Sequence, residues 1–328
     1  MTILVTGGAG FIGSHLVDEL LRAGASVRVL DNLRNGKRGN LEQHRNNNKL
    51  YFVQGDVIDP EDVKKAITGV HLVFHLACLG VRHSIKYPFE NHRVNAEGTL
   101  CVLEAARTHA VEKFIYCSSS EVYGTARCVP MTEEHPARPC TVYGASKLAG
   151  EAYARAYFTT YAMNTVIVRP FNTYGPRSHY EGDAGELIPK TIVRALNGKP
   201  VLLFGDGKQT RDFTYVEDIA RAFVRVAQID DAVGETFNIG SNFEIEIRKV
   251  AEQILQNVKN NAATIKYTEE RPGDVLRLYA DSAKFRALTQ WSPSVGLQDG
   301  LRRTIEWFRS RPGGVSALLN QEAGLNWR

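Results

Sequence analysis

The chain has 328 residues, 43% hydrophobic and 23% charged, which supports a large packed core and excludes a disordered tail, a collagen-like rod or a disulfide mini-scaffold. At about 150 residues per domain, that length corresponds to roughly two domains. The net charge of +4 is too weak a field over this length to argue for nucleic acid or an anionic membrane as partner.

Short runs rich in Val, Ile and Leu predict strands at Ile3–Val5, Val27–Leu30, Leu50–Val53, Leu72–Leu76, Phe114–Cys117 and Thr165–Val168. Helical periodicity lies between them, at Phe11–Arg22, Pro60–Ile67, Asn95–His109 and Val142–Tyr161. Strands apolar on both faces and separated by helices imply a parallel sheet covered on both sides. Right-handed crossovers make it a doubly wound α/β sheet of the Rossmann kind. After Arg169-Pro170, Gly, Pro and charged residues punctuate shorter elements, with helices predicted at Leu187–Leu196, Val216–Val226, Ile245–Gln256 and Leu297–Phe308. Asp230-Asp231 reads as a loop and Glu235–Ile239 as a further strand that returns to the main sheet. The expected organisation is a Rossmann domain over residues 1–171 and a smaller C-terminal α/β lobe, built over the strand ends, mainly over 172–328.

Cys78, Cys101, Cys117, Cys128 and Cys140 are odd in number and contain no C-x-x-C pair, so neither a disulfide framework nor a zinc site fits, and no metal is expected. Thr2 to Thr6 runs straight into a glycine-rich turn without the basic and apolar regions of a signal peptide. No window approaches 18 consecutive apolar residues. The expected location is the cytoplasm, with no membrane partner.

Thr6-Gly7-Gly8-Ala9-Gly10-Phe11-Ile12-Gly13 joins the first strand to the first helix, the context a dinucleotide-binding loop demands. Gly7 permits the turn, Gly10 lets the backbone approach a pyrophosphate, and Gly13 allows helix-to-strand contact. The helix N-terminus offers free N–H groups and partial positive charge. Asp31 ends the second strand, 18 residues past Gly13. A carboxylate there accepts hydrogen bonds from both ribose hydroxyls and repels a 2′-phosphate, favouring NAD over NADP. Arg34, Lys37 and Arg38 weigh the other way, since arginine near this position accommodates that phosphate. Asp56, in Gly55-Asp56-Val57, is a candidate contact for the adenine amino group or simply a turn residue before the next helix.

Tyr143-Gly144-Ala145-Ser146-Lys147 places a phenol and an ammonium four residues apart on one helix face. A lysine cation, together with the positive nicotinamide ring, is expected to lower the phenol pKa towards neutrality. Cys117-Ser118-Ser119-Ser120-Glu121-Val122-Tyr123-Gly124 stands at the carboxyl end of the fifth strand, where ligands bind in such sheets.

These motifs together resemble the extended short-chain dehydrogenase/reductase family, in its branch of NAD-dependent nucleotide-sugar epimerases, dehydratases and decarboxylases. The resemblance covers nearly the whole chain. Besides these motifs, it is carried by His75-Leu76-Ala77 and by residues 94–99, 169–177 and 210–218. It implies Tyr143 as base, Lys147 as its electrostatic partner and nicotinamide-ribose ligand, and Ser119, three positions before Val122, as the hydroxyl partner. Phe11, Ile12, Asn32, Val57, Leu76 and Ala77 join the implied cofactor residues. Ser120, Asn172, Arg211 and Arg271 are implied on the substrate, the last three at its diphosphate, which suits the guanidinium fork. A turn role for Asn172 and surface ion pairs for the arginines are the alternatives. In the loop 178–186, Tyr180, Glu181 and Asp183 face substrate or solvent equally well on sequence alone.

The implied first step is oxidation of the sugar at C4, with Tyr143 taking the hydroxyl proton. Glu121 discriminates among the possible second steps. Simple 4-epimerases resemble this stretch but carry a small or hydroxylic residue there, whereas Ser120-Glu121 looks like GDP-mannose and certain UDP-N-acetylglucosamine 4,6-dehydratases and UDP-glucuronate decarboxylases. In dTDP-glucose 4,6-dehydratases an Asp acid stands where this chain has Ser120. Val81-Arg82-His83-Ser84-Ile85-Lys86 and Pro88 look more like an epimerase. The expected reaction is 4,6-dehydration of a UDP- or GDP-linked hexose. UDP-sugar 4-epimerisation, UDP-glucuronate decarboxylation and a non-catalytic NAD-binding regulator are the alternatives; the regulator would be expected to have lost Tyr143 or Lys147. Leu100, Leu103, Tyr153, Tyr157 and Phe158 make the helices over 95–109 and 142–161 apolar on more than one face, which resembles the family's four-helix contact and predicts a homodimer.

Overall fold

The computed structural model describes residues 1–327. The first half runs β1 (Thr2–Thr6), α1 (Phe11–Arg22), β2 (Ser26–Asp31), β3 (Leu50–Gln54), α2 (Pro60–Ile67), β4 (Leu72–His75), α3 (Val81–Lys86), α4 (Pro88–His92), α5 (Gly98–Thr108), β5 (Lys113–Cys117), α6 (Val142–Tyr161) and β6 (Thr165–Pro170). The second half runs β7 (Asn172–Tyr174), α7 (Leu187–Leu196), β8 (Val201–Phe204), β9 (Thr210–Tyr215), α8 (Val216–Ala227), β10 (Thr236–Ile239), β11 (Glu244–Glu246), α9 (Ile247–Val258), β12 (Ile265–Thr268), α10 (Ala283–Thr289), α11 (Leu297–Arg309) and α12 (Gly314–Leu319).

Seven strands form one sheet in the order β10-β6-β5-β4-β1-β2-β3, every pair parallel. The strand order reverses between β1 and β4, which opens a crevice beyond their carboxyl ends. Leu16, Val17 and Leu20 of α1, with Ile219, Phe223 and Val226 of α8, bury one face of the sheet. Val63 and Ile67 of α2, Val102 and Leu103 of α5, and Ala154 and Tyr157 of α6 bury the other. A separate core unites α7, α9 and α11 with β8 and β9, above the strand ends.

Two expectations shift at their edges. Regular α5 starts at Gly98, not Asn95, after a wider turn over Arg93–Glu97. Asn95 lies within that wider turn: buried, it accepts from the Leu79 N–H at 2.8 Å and donates to the Leu79 carbonyl at 2.9 Å, clamping the loop after β4. Ile245 is not helical. It lies in β11, paired antiparallel with β9, and its side chain joins the core of the smaller lobe.

A buried polar network holds the carboxyl end of the sheet. Arg169 grips Glu151 with two hydrogen bonds of 2.7 and 2.6 Å, Ser118 donates to Glu151 at 2.6 Å, and Arg169 also donates to the Tyr123 hydroxyl at 2.6 Å. Tyr123 in turn donates to Asn238 of β10 at 2.7 Å. The serine-rich loop after β5 is thereby fixed to α6, β6 and β10 at once.

Candidate active site

The residues expected to be catalytic, cofactor-binding or substrate-binding all line one cavity of about 380 Å³, at the strand-order reversal and under the smaller lobe. At its cofactor end, Gly7 has φ +68°, and a Cβ there would meet the Ala77 backbone nitrogen at 2.8 Å. A Cβ on Gly13 would meet the Gly7 carbonyl oxygen at 2.1 Å, so the turn and α1 close on each other only with glycine. Among the described residues no side chain caps α1, whereas Asp59 caps α2 and Thr141 caps α6. The first N–H groups of α1, around Phe11 and Ile12, are left for an anion, and the loop fits a dinucleotide's pyrophosphate.

Asp31 is buried and accepts the N–H groups of Ala9 at 3.0 Å and Leu33 at 2.8 Å. A carboxylate has about four acceptor positions, so each oxygen keeps capacity for a ribose hydroxyl. Burial raises its pKa, and the two N–H bonds work against that rise. The three neighbouring cations are engaged elsewhere. Arg34 pairs with Glu90, Lys37 with Glu181, and Arg38 lies 4.3 Å from the Phe52 ring centre. Asp56 accepts from Asn32 at 2.8 Å and from the Ile58 N–H at 3.2 Å, which holds both at the cavity rim beside Val57.

At the catalytic end, Ser119 follows β5 in extended backbone and its Oγ accepts the Glu121 N–H at 3.2 Å. Thr141 accepts the Gly144 N–H and starts α6 so that Tyr143 and Lys147 share the face turned to the sheet end. Tyr143 hydrogen-bonds Ser119. Lys147 is buried, donates to the Cys117 carbonyl at 2.6 Å and lies 4.9 Å from the Tyr116 ring centre. The expected low phenol pKa is not met in the protein alone. Burial raises it, and the Lys147 charge and the Ser119 bond lower it only in part. Burial also opposes the Lys147 charge, but the phenols and thiols around it prevail and the ammonium is retained.

Glu121, half-buried, faces a cluster of charges. Burial raises its pKa, while Arg211, Arg271 and Arg82 pull it down. Asp274 holds two of these cations, accepting from Arg211 at 2.9 Å and from Arg271 at 2.6 Å. The Nε of Arg271 and the Oδ1 of Asn172 are buried without a partner among the described residues, as expected of groups that wait for a ligand.

Sequence reasoning missed four cavity groups. Arg82 was visible only within the epimerase-like stretch; burial and then Arg271 push its pKa down to about 10. Glu186 is pushed up to about 7 by burial, against the pull of Arg82. Lys190 is pushed down to about 8 by burial, against the pull of Glu322. Asn326 comes from the far end of the chain and carried no sequence signal. In the 178–186 loop, Tyr180 packs edge-on against Phe308 and Glu181 pairs with Lys37, while Asp183 lines the cavity.

The family model for GDP-mannose 4,6 dehydratase matches residues 4–304. The chain belongs to this family, within the extended short-chain dehydrogenase/reductases that act on nucleotide sugars. It is 36% identical over 319 residues to a UDP-glucose 4-epimerase of Mycolicibacterium smegmatis, covering 95% of this chain and 99% of the relative. It is 35% identical over 317 residues to a dTDP-glucose 4,6-dehydratase of Streptomyces niveus, covering 94% and 93%. A dTDP-glucose 4,6-dehydratase from Streptomyces venezuelae, solved with NAD and TYD bound, superimposes with a TM-score of 0.91 at 33% identity, covering 95% of this chain and 98% of that one. Like its family, this chain is an enzyme built on a Rossmann sheet. Among the described residues, no helix is long and apolar enough to cross a membrane, and no group of three or more metal-ligating side chains occurs.

Proposed function

We propose that this enzyme uses NAD to oxidise a nucleotide-linked hexose at C4 and completes a 4,6-dehydration. The observation that carries the reading is the placing of Glu121 in the same cavity as the Tyr143–Ser119 pair, with Arg211 and Arg271 beside it. Gly7, Gly10, Phe11, Ile12, Gly13, Asp31, Asn32, Asp56, Val57, Leu76, Ala77 and Lys147 would hold the cofactor, and the solved dehydratase relative carries NAD. When bound, NAD would accept the hydride from C4 and give it back at C6 once water has left, while C5 takes a proton from solvent.

Tyr143 takes the proton of the sugar 4-hydroxyl, while Ser119 holds the same oxygen by a hydrogen bond. Lys147, fixed by the Cys117 carbonyl, stabilises the phenolate by its charge. The resulting C4 ketone acidifies C5, and Glu121 removes the C5 proton. Burial favours the protonated carboxyl, so Glu121 keeps that proton and delivers it to the departing C6 hydroxyl, which leaves as water. Asn172, Arg211 and Arg271 hold the diphosphate, and Ser120 contacts the sugar.

A second reading, 4-epimerisation, is favoured by Ser120, a hydroxyl where an acid would assist loss of the C6 oxygen. A panel of UDP-, GDP- and dTDP-hexoses, with products resolved by mass and NMR, tests the choice. Loss of one water marks dehydration, unchanged mass with inverted C4 marks epimerisation, and loss of carbon dioxide from a uronate marks decarboxylation.

The proposed division is 1–171 for the cofactor and mainly 172–328 for the nucleotide sugar. We also infer a cytoplasmic homodimer. All five cysteines are free thiols. Leu103 and Tyr157 are spent on the chain's own core, but Leu100, Phe158 and Tyr161 are 39%, 39% and 53% exposed on the faces of α5 and α6 that a partner would cover.

A further inference from the structure

Residues 320–327 lie beyond the stretch matched by the family model, yet two of them, Glu322 and Asn326, line the cavity at the end formed by the smaller lobe. They are anchored there by specific contacts. Glu322, almost wholly buried, pairs with Arg194 at 2.7 Å and Lys190 at 3.3 Å. Lys190 donates to the Gly324 carbonyl at 3.0 Å, the Asn326 Nδ2 donates to the Gly185 carbonyl at 2.8 Å, and Trp327 packs edge-on against Phe204 with ring centres 4.6 Å apart.

Asn326 is only 4% exposed, and its Oδ1 has no hydrogen-bond partner among the described residues. The bond to Gly185 fixes which end of the amide is the oxygen. An unmet acceptor in a buried position costs free energy unless a ligand donor meets it. Around it stand Phe204 and Leu202, which suit the face of a planar heterocycle, and Lys190, whose ammonium has three protons for its protein partners and a ligand carbonyl.

We propose that residues 320–327 read the base of the nucleotide sugar, with the Asn326 Oδ1 accepting a ring N–H and Lys190 facing the adjacent carbonyl. That pairing selects a lactam edge, as in uracil, thymine and guanine, over the amidine edges of cytosine and adenine. The inference rests on the nucleotide-sugar reading and adds to it the element that recognises the base.

The test is calorimetric titration of the NAD-saturated full chain with UDP, TDP, GDP, CDP and ADP, so that ADP cannot enter the cofactor end of the cavity, with NAD binding measured separately. At least one lactam nucleotide should bind about ten-fold more tightly than CDP and ADP, the worth of one well-placed hydrogen bond. Asn326→Ala should erase that preference and leave NAD binding unchanged. For the preferred nucleotide, the analogue methylated at the ring N–H should bind the unaltered protein about ten-fold more weakly, a comparison that does not depend on the variant folding. Equal binding of all five nucleotides, a preference that survives Asn326→Ala, or full affinity for the methylated analogue would each overturn the inference while leaving the nucleotide-sugar reading intact. Failure of every nucleotide to bind would instead defeat that reading and, with it, this one.

Discussion

Glu121→Gln separates the chemistry of the second half-reaction from everything before it. Glutamine keeps the volume and hydrogen-bonding reach of the side chain, and the Glu121 N–H bond to Ser119 belongs to the backbone, so the loop after β5 keeps its shape. The substitution removes a base and one negative charge. Arg211 and Arg271 then keep Asp274, and Arg82 keeps Glu186 and Asp274, but the cluster has lost one carboxylate, which makes the cavity more attractive to a diphosphate. KM should therefore hold or fall, and the deficit should sit in kcat. A positioned general base is worth about 10²–10⁴-fold, or roughly 3–5 kcal/mol of barrier. In a single-turnover assay, reduced cofactor should accumulate, because oxidation at C4 does not use Glu121. Solvent deuterium should stay out of C5, and no water should be lost. In the parent enzyme the base works deprotonated, and burial raises its pKa. Its kcat/KM should therefore fall as pH drops through that raised pKa, and the variant should lack this acid limb. Near-parental turnover, or an increase in KM with kcat intact, would show that Glu121 only anchors the sugar, and 4-epimerisation would replace dehydration.

Tyr143→Phe should abolish every product, including any reduced cofactor, since all branches begin with the 4-hydroxyl proton; turnover above background would remove Tyr143 from the mechanism. Asp31→Ala should weaken NAD by about 10- to 150-fold, the loss of charge-assisted ribose contacts of roughly 1.5–3 kcal/mol, and erode the preference over NADP; equal NAD affinity by titration would show that Asp31 does not meet the ribose. Glu151→Gln breaks the buried pair with Arg169, 2.6 Å apart, and should cost about 3–5 kcal/mol in denaturant unfolding; a change below about 1 kcal/mol would mean that the network is not what holds the loop after β5. Sedimentation at micromolar concentration should show a dimer, and a stable species of 36.5 kDa would refute it.

The Rossmann half was legible because its signals are local. Helices α1, α2 and α6 begin and end where periodicity places them, and the glycine loop carries its own geometry. The smaller lobe hid its strands because they are short and carry charge. β9 contains Arg211 and Asp212, charges that do not look like strand interior until their distant partners are known. Asp212 is satisfied by Ser241 and Asn242, and Arg211 by Asp274. Arg82, Glu186 and Asn326 escaped for the same reason: only long-range folding brings α3, the start of α7 and residues 320–327 to one cavity.

The strand β10 bears on how the chain is made. It pairs with β6, yet 65 residues separate Pro170 from Thr236, and α8, which covers the sheet beside α1, lies in the same interval. A ribosome must therefore release the first elements of the smaller lobe, β7, α7, β8 and β9, before the sheet can gain its last strand and half the cover of one face. Until then β6 presents an open edge and Val166 and Val168 stand bare of Phe223 and Phe237, a template for pairing between nascent chains. Expression of residues 1–171 alone should give inclusion bodies, and soluble monomeric material would show that the open edge of β6 is harmless.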